Sequence, residues 1–306
     1  MKKIFFIISF VTSLQTTYAC DVCGGAVVNT GGDVIPGIFS NFVGVNASFR
    51  SFNSSHLTLF ENEVPITSKE LFSLYSIHGR YSPVRRLQFL FNVPVSFVRK
   101  EMEGERKYAT GLSDVSMRVN YLLIDRNNDS TETFFNLFSG ATLKAPTGRS
   151  QFFDGEEFYF HRNMLPGSGT TDFGFHLDLL YRKKNYGFTF NGSSLLRGKI
   201  QNSYDFGNVY NTRISGFRFF DIKQSKLMLD LGMELSVNGQ DRNLYSNASD
   251  RYTGGWMLSP SLRLNYFWKE LVFNVTAQRP VHQNLAEGQV KNNYALQGSV
   301  IYLIGN

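Results

Sequence analysis

Two cysteines separated by two residues, Cys20 and Cys23, form the most distinctive chemical pair in the sequence. They could form a local disulfide, bind a soft metal such as Cu(I) or Zn²⁺, or exchange electrons as a redox pair, and Cys20 could carry a lipid. Two thiolates supply half of a typical zinc site, and the sequence has neither a second cysteine pair nor a His-x3-His motif to complete it. A disulfide is therefore favoured, while metal binding and lipidation stay open.

A second polar group lies in an aromatic-rich stretch at residues 152–162, with the sequence FFDGEEFYFHR. Its carboxylates and its imidazole could bind a divalent cation or a substrate. The residues concerned are Asp154, Glu156, Glu157 and His161. Their spacing matches no calcium-loop pattern, so an ordinary acidic surface loop is the favoured interpretation.

Further ionisable residues lie on the polar side of segments whose hydropathy alternates. They are His78, Arg80, Arg118, His176, Asp178, Asp230, Glu234 and Arg263. The pairs His78 with Arg80 and His176 with Asp178 could act as a general acid and base. No nucleophilic Ser or Thr is placed beside them, and the sequence has no Gly-x-Ser-x-Gly motif. We therefore predict no enzyme activity and no cofactor.

The alternating segments predict long β-strands with one apolar and one polar face. Leu87–Phe97 and Leu227–Val237 are the clearest examples. Weaker segments raise the number to about twelve, most of them with the 9–11 residues that a tilted strand needs to cross a bilayer. The predicted strands are 41–50, 71–81, 87–97, 114–123, 133–144, 172–182, 186–197, 209–219, 226–237, 256–267, 271–278 and 294–303.

Two features favour a membrane barrel over a soluble sandwich. Long and short connections alternate along the chain, and aromatic residues occupy the short-turn ends of alternate strands, where they would form an interfacial girdle. These residues are Tyr81, Tyr121, Tyr181, Phe219, Tyr266 and Tyr302. We predict an all-β fold, a transmembrane antiparallel up-and-down barrel of about twelve strands, with the ionisable residues above lining its lumen.

The N-terminus has the features of a secretory signal peptide. Lys2 and Lys3 precede an apolar stretch, and Thr17 and Ala19 match a cleavage site before Cys20. We predict a signal peptide at 1–19, a CxxC-containing periplasmic or luminal segment at 20–40 and an outer-membrane barrel at 41–306. The net charge of +6 includes no basic run, so nucleic acid is not expected as a partner.

Several motifs resemble the outer-membrane transporter family named for the meta-pathway of phenol degradation. They are GLSDVSMRVNYLL (Gly111–Leu123), LKAPTGRS (Leu143–Ser150) and LPGSGTTDFGFHLDLLY (Leu165–Tyr181). The chain departs from the family pattern at Ser113, where a second glycine is typical. The opening CDVCGG, together with IPGIFSNFVG at Ile35–Gly44, is similar to a Bacteroidota-type subset with an N-terminal CDxCG motif.

The resemblance implies a channel in the outer membrane of a Gram-negative bacterium, for passive uptake of a small aromatic or apolar molecule. Its partners would be outer-membrane lipid, the barrel-assembly machinery and the solute. The barrel would be a monomer, with its N-terminus in the periplasm and its aromatic-rich loop as the way in from outside. A structural or metal-handling role through the CxxC pair and, less favoured, an outer-membrane enzyme stay open.

Overall fold

The computed structural model describes residues 40–56, 66–153, 155–158, 160–201 and 203–305. Twelve long antiparallel strands form one closed barrel, which confirms the predicted fold class. Each barrel strand pairs with the next along the chain, and the last pairs with the first. None of the helical turns among these residues is long and apolar enough to cross a membrane.

The barrel strands begin and end close to the predicted bounds and are mostly longer. They are β1 (Asn41–His56), β2 (Ile66–Val84), β3 (Leu87–Met102), β5 (Ser116–Asn128), β6 (Thr133–Lys144), β7 (Asp172–Lys183), β8 (Tyr186–Leu196), β11 (Val209–Ile222), β12 (Ser225–Asn238), β15 (Gly255–Trp268), β16 (Leu271–Gln278) and β18 (Val290–Ile304). The shorter strands are β4 (Glu105–Leu112), β9 (Lys199–Ile200), β10 (Tyr204–Asp205), β13 (Asp241–Asn243), β14 (Ala248–Asp250) and β17 (His282–Leu285).

The two ends of the barrel differ. At one end the strands are joined by tight turns, and Lys184, Lys223 and Lys269 each adopt the left-handed conformation that a two-residue hairpin turn requires. At the other end lie the long connections, including 145–171 and 239–254. We call these the short-turn end and the long-loop end. The predicted alternation of long and short connections is therefore present.

One predicted connection is wrong. The segment after Phe97 is not a long loop, because β3 continues to Met102 and a tight turn at Glu103 and Gly104 leads into β4. β4 pairs with residues 95–102 of β3, at the long-loop end, while β5 pairs with residues 87–92 of β3, nearer the short-turn end. The polar ends of β3 and β4 hid this hairpin, since they lack the apolar face on which the prediction depended.

In β12 and in β18, buried and exposed residues alternate in the predicted phase. Asp230 is fully buried inside the barrel, whereas Leu231 is 59% exposed on its outer surface. In β18, Tyr302 is exposed and Ile301 is buried. A single alternation therefore separates a lipid-compatible outer surface from a polar interior.

The aromatic girdle is correct in part. Tyr81, Tyr121 and Tyr302 are exposed at the short-turn end, but Phe219 is buried and its place in the girdle is wrong. The inward positions of β11 are odd-numbered, so Phe219 packs inside the barrel against Met228 and other apolar residues. Phe220, the next residue along β11, is exposed instead.

We expect Leu231→Arg to lower the free energy of unfolding by about 2–4 kcal/mol, the usual cost of a charge at the bilayer midplane. Leu231 lies in the middle of β12 with its side chain outward. Urea titration of the barrel in lipid vesicles measures the change. Tyr245→Arg is the control, because Tyr245 is 80% exposed in a long loop. Equal losses in the two variants would contradict the assignment of this face to lipid.

Gly232, next to Leu231, does not offer the spare room that its inward position suggests. A Cβ there would lie 2.8 Å from the Ser215 Cβ atom and 2.8 Å from the Arg213 guanidinium. Gly232→Arg would therefore disturb the interior network rather than only narrow the lumen.

Candidate functional site in the barrel interior

Inward side chains of neighbouring strands form hydrogen-bonded networks across the inner wall. In the first, Arg118 forms a buried ion pair with Asp178 and donates a hydrogen bond of 2.6 Å to the Asn120 Oδ1 atom. Asn191 donates to the other Asp178 oxygen at 2.9 Å. Three strands, β5, β7 and β8, contribute to this network, which braces one side of the barrel.

A second network adjoins the first, because β11 pairs with β8 and Arg213 lies opposite Asn191 in that pairing. Arg213 forms a buried ion pair with Asp230, and Ser215 donates to Asp230 at 3.1 Å. Farther along β12, the Glu234 carboxylate accepts a 2.8 Å hydrogen bond from Gln278. Both acidic residues were predicted from the sequence as lumen-facing, and both are buried.

The other predicted lumen residues are spread along the same inner surface. Arg80 donates to the Ser40 carbonyl at 2.6 Å, and buried His78 makes an edge contact with Phe42. His176 lies 2.6 Å from the Thr142 hydroxyl. Arg263 is buried on β15. The expectation that no Ser or Thr hydroxyl lies beside these residues is therefore wrong for His176. Together these groups form a polar lining on the inner wall.

The longest connection, residues 145–171, folds into the mouth of the barrel. Met164 is fully buried, and Phe160 is nearly so. Both pack against wall residues such as Phe52, Phe72 and Val98. The prediction of an ordinary surface loop is therefore wrong for the buried part of this segment, although Phe153 is exposed. Its apolar residues are enclosed by the barrel because they remove apolar surface from water there. We call this segment the inserted loop.

A buried lysine holds both ends of the inserted loop. The Lys144 ammonium lies 2.6 Å from an oxygen of Asp172 and 3.1 Å from an oxygen of Asp114. Asp114 also accepts hydrogen bonds from the Ser168 backbone N–H at 2.9 Å and from Gly148 N–H at 3.0 Å. We call Lys144, Asp114 and Asp172 the lysine latch, since together they tie the loop to β5, β6 and β7.

The loop crosses itself at two glycines next to the lysine latch. A Cβ on Gly167 would lie 2.5 Å from the carbonyl carbon of Gly148, which no side chain could tolerate without movement. The Gly167 N–H donates to the Arg149 carbonyl at 2.8 Å. The two motifs singled out in the sequence, APTGR and LPGSGTTD, therefore meet here, and close backbone approach explains their glycines.

Asp241, which sequence analysis did not single out, fixes the far side of the inserted loop. Its carboxylate accepts hydrogen bonds from the Tyr204 hydroxyl at 2.7 Å, from Gly207 N–H at 2.6 Å and from the Asn163 side chain. Asp241 lies on β13, part of a small sheet that β9, β10, β13 and β14 form at the long-loop end. An isolated acidic residue in a long loop gives no sequence signal for this role.

The acidic residues predicted as a cation or substrate site have separate partners. Glu156 forms an ion pair with Arg149 at 3.1 Å, and Glu157 is exposed. Asp154, Cys20 and Cys23 lie outside the described residues. Within the part of the chain that the structure describes, no group of three or more His, Cys, Asp and Glu side chains is placed to hold a metal ion.

His161 links the inserted loop to the small sheet. Its Nδ1 atom accepts a hydrogen bond of 3.3 Å from Asn163 N–H, and its Nε2 atom lies 3.0 Å from the Tyr204 hydroxyl. Burial lowers the pKa of His161, and the carboxylates of Asp241 and Asp250 oppose that shift in part. The folded loop therefore favours the neutral imidazole, which can accept at Nδ1 and donate at Nε2.

We expect acid to loosen the inserted loop. Because the folded pKa of His161 is lowered, its contribution to docking is present above the unfolded pKa of about 6.5 and is lost as the pH falls below it. Protease cleavage of the loop should therefore become faster as the pH is lowered from about 7.5 to about 5. His161→Gln keeps hydrogen-bonding groups without titrating, so its cleavage rate should change less. An identical pH response in both proteins would assign the effect elsewhere.

Among the residues that the structure describes, two of the cavities lie at different levels of the interior. The larger, about 570 Å³, opens at the short-turn end, where Gln88, Asn136 and Asp125 are among its lining residues. The smaller, about 90 Å³, lies between the inserted loop and the inner wall. A clustered set of buried apolar residues, including Leu122, Phe138 and Phe217, lies toward the short-turn end. A solute crossing the barrel would thus meet the inserted loop first from one side and this wider space from the other.

Comparison with known proteins supports the fold. No family model matches the sequence, and no curated protein matches it significantly. Among solved structures the chain is similar to an outer-membrane channel from Pseudomonas putida F1, at 14% identity and a TM-score of 0.64, over 89% of this chain and 100% of that one. At this identity the similarity shows a shared fold.

Lower similarities extend to other outer-membrane barrels. The β-domain of the Bordetella autotransporter BrkA matches at 8% identity and a TM-score of 0.49, over 87% of this chain and 100% of that one. The KdgM porin matches at 10% identity and a TM-score of 0.39, over 85% and 99%.

Proposed function

We propose that this protein is an outer-membrane channel through which a small solute diffuses passively, with the inserted loop as its constriction. The observation that carries the proposal is a closed barrel with an apolar outer surface, whose polar interior is narrowed by one docked loop. The similarity in fold to an outer-membrane channel supports it. The solute would move down its gradient, since diffusion through a polar lumen needs no coupled energy source.

The size of the barrel limits the solute. Interior width grows with strand number, and wide aqueous channels belong to barrels of about 16–18 strands. A barrel of twelve strands with a docked loop leaves a narrow path. We therefore propose a small molecule as the solute, and lipid, the assembly machinery and that molecule as the partners of a monomeric barrel.

Conductance in planar bilayers tests the proposal. The purified, folded barrel should insert and give uniform current steps in KCl, smaller than those of a porin with about 16 strands. Vesicles containing the barrel should admit small solutes and exclude large ones in a swelling assay. Folded protein that gives neither current steps nor swelling would contradict a channel function.

We also propose that the long-loop end faces outward and that the short-turn end and the N-terminus face the periplasm, as in other outer-membrane barrels. A cysteine at Tyr245, in the long connection 239–254, should react with an impermeant maleimide on intact cells. A cysteine at Lys184, in a short turn, should react only after the cells are broken. The reverse labelling pattern would invert the orientation.

A further inference from the structure

The cavity behind the inserted loop is rich in positive charge. Three arginines from different elements line it: Arg50 from β1, Arg162 from the inserted loop and Arg197 from the end of β8. The Lys144 ammonium, which also lines it, is paired with two carboxylates, those of Asp114, itself a lining residue, and Asp172. The uncompensated charge of the cavity therefore comes from the arginines.

Of the three arginines, Arg50 gives the strongest indication of an anion site. The residue is 8% exposed, and its Nη1 atom is buried without a hydrogen-bond partner. Among the described residues no carboxylate lies within ion-pair distance of its guanidinium. Glu234, on the same side of the interior, is close enough only for a longer-range attraction and accepts its hydrogen bond from Gln278. A buried charge without a partner is costly, so an anion at this place would stabilise the protein.

The other two arginines are held in position without being neutralised. Arg162 lies over the rings of Phe152 and Tyr204, at 5.6 Å and 5.9 Å from their centroids. Arg197 lies 4.1 Å from the centroid of Phe206 and donates to Asn163 at 3.1 Å. Stacking on aromatic rings fixes a guanidinium and leaves N–H groups for a ligand.

Other lining groups define the rest of the ligand. The hydroxyls of Ser96 and Ser113 line the same cavity and are buried without hydrogen-bond partners. Apolar side chains that include Phe72, Val98 and Met164 also line the cavity. The cavity volume of about 90 Å³ favours a small ligand.

We propose that this cavity binds a short carboxylate with an apolar tail, and that such carboxylates are the solute class of the channel. The carboxylate would accept paired N–H bonds from the planar guanidinium of Arg50, a geometry that arginine suits better than lysine. The hydroxyls of Ser96 and Ser113 would donate to it. The tail would lie against Phe72 and Met164. The assignment of a solute class rests on the proposed channel function, whereas binding to the cavity does not.

Butyrate and its uncharged isostere butyramide test the proposal on the full-length folded barrel. Binding is measured first, by the thermal unfolding midpoint in detergent. Butyrate should raise the midpoint and butyramide should not. Arg50→Gln should raise the half-saturating butyrate concentration about tenfold or more, because a charge-assisted hydrogen bond is lost. Arg218→Gln is the matched control, since Arg218 is exposed on the outer surface of β11.

Current through planar bilayers then tests the solute class. In wild-type channels butyrate should compete with chloride and lower the chloride current, and Arg50→Gln should relieve that effect. If Arg50→Gln does not fold, Arg197→Gln replaces it. That substitution should raise the half-saturating butyrate concentration about threefold or more. If butyrate shifts the unfolding midpoint but no protein gives a current, the binding site is supported and the channel function is contradicted. Equal effects of butyrate and butyramide, or no change in folded Arg50→Gln, would overturn the proposal.

Discussion

Removal of residues 302–306 should abolish assembly of the barrel, whereas removal of 305 and 306 alone should be tolerated. Tyr302, Leu303 and Ile304 pair with Val43, Phe42 and Asn41, and Tyr302 also pairs with Leu271. Their loss opens the seam of the barrel on both sides. Each backbone group left without a partner in lipid costs several kcal/mol, so the folded fraction should fall below about one tenth of the wild-type value.

Heat-modifiable migration on gels measures the folded fraction directly. The shorter deletion is the control, because Gly305 lies beyond β18 and nothing lies within 4 Å of the position of a Cβ there. Normal migration after the longer deletion would show that the pairing of β1 with β18 is not needed to close the barrel.

Lys144→Met should release the inserted loop and raise the single-channel conductance several-fold. The substitution removes the cation that lies within 3.1 Å of Asp114 and 2.6 Å of Asp172. Two buried carboxylates are then left without compensation, at a cost of about 3–5 kcal/mol. The docked loop is the part of the structure that can move to hydrate them, so undocking is the expected response. Protease cleavage between residues 145 and 171 gives a second measurement.

Lys199→Met is a matched control for this prediction. Lys199 also forms an ion pair, 2.9 Å from Asp205, but its side chain is 62% exposed. Such surface pairs contribute about 0–1 kcal/mol, so its conductance should equal that of the wild type. If folded Lys144→Met also conducts like the wild type, either the lysine latch does not hold the loop or the loop does not limit the current.

The sequence predicts the barrel wall well, for a physical reason. Each wall residue faces either lipid or the interior, so the chemistry of one side chain reports its own position. Asp230 and Leu231 show this directly, since burial follows hydropathy at both. Phe219 shows the limit, because an inward position near the short-turn end accepts an aromatic residue as part of an interior apolar cluster.

The inserted loop could not be predicted in this way. Its residues have no regular period, and its docking depends on contacts between distant parts of the chain. Asp114, Lys144 and Asp172 form one charge cluster although they belong to different strand ends. At all three positions the sequence places a charged residue on the inward face of a strand end next to a loop, and this was the available signal for the cluster. Asp241 gave none, since its partners Tyr204 and Asn163 lie in other connections.

The lysine latch also has a consequence for the order of folding. Its contacts join residues that are close in sequence, with separations of 24 for Lys144 with Ser168 and 54 for Asp114 with Ser168. The seam between β1 and β18 instead joins residues such as Ser51 and Asn293, at a separation of 242. Contacts between near residues cost less chain entropy and form sooner. The loop would therefore reach its place on an open, curved sheet, and the barrel would close around a mouth that is already occupied.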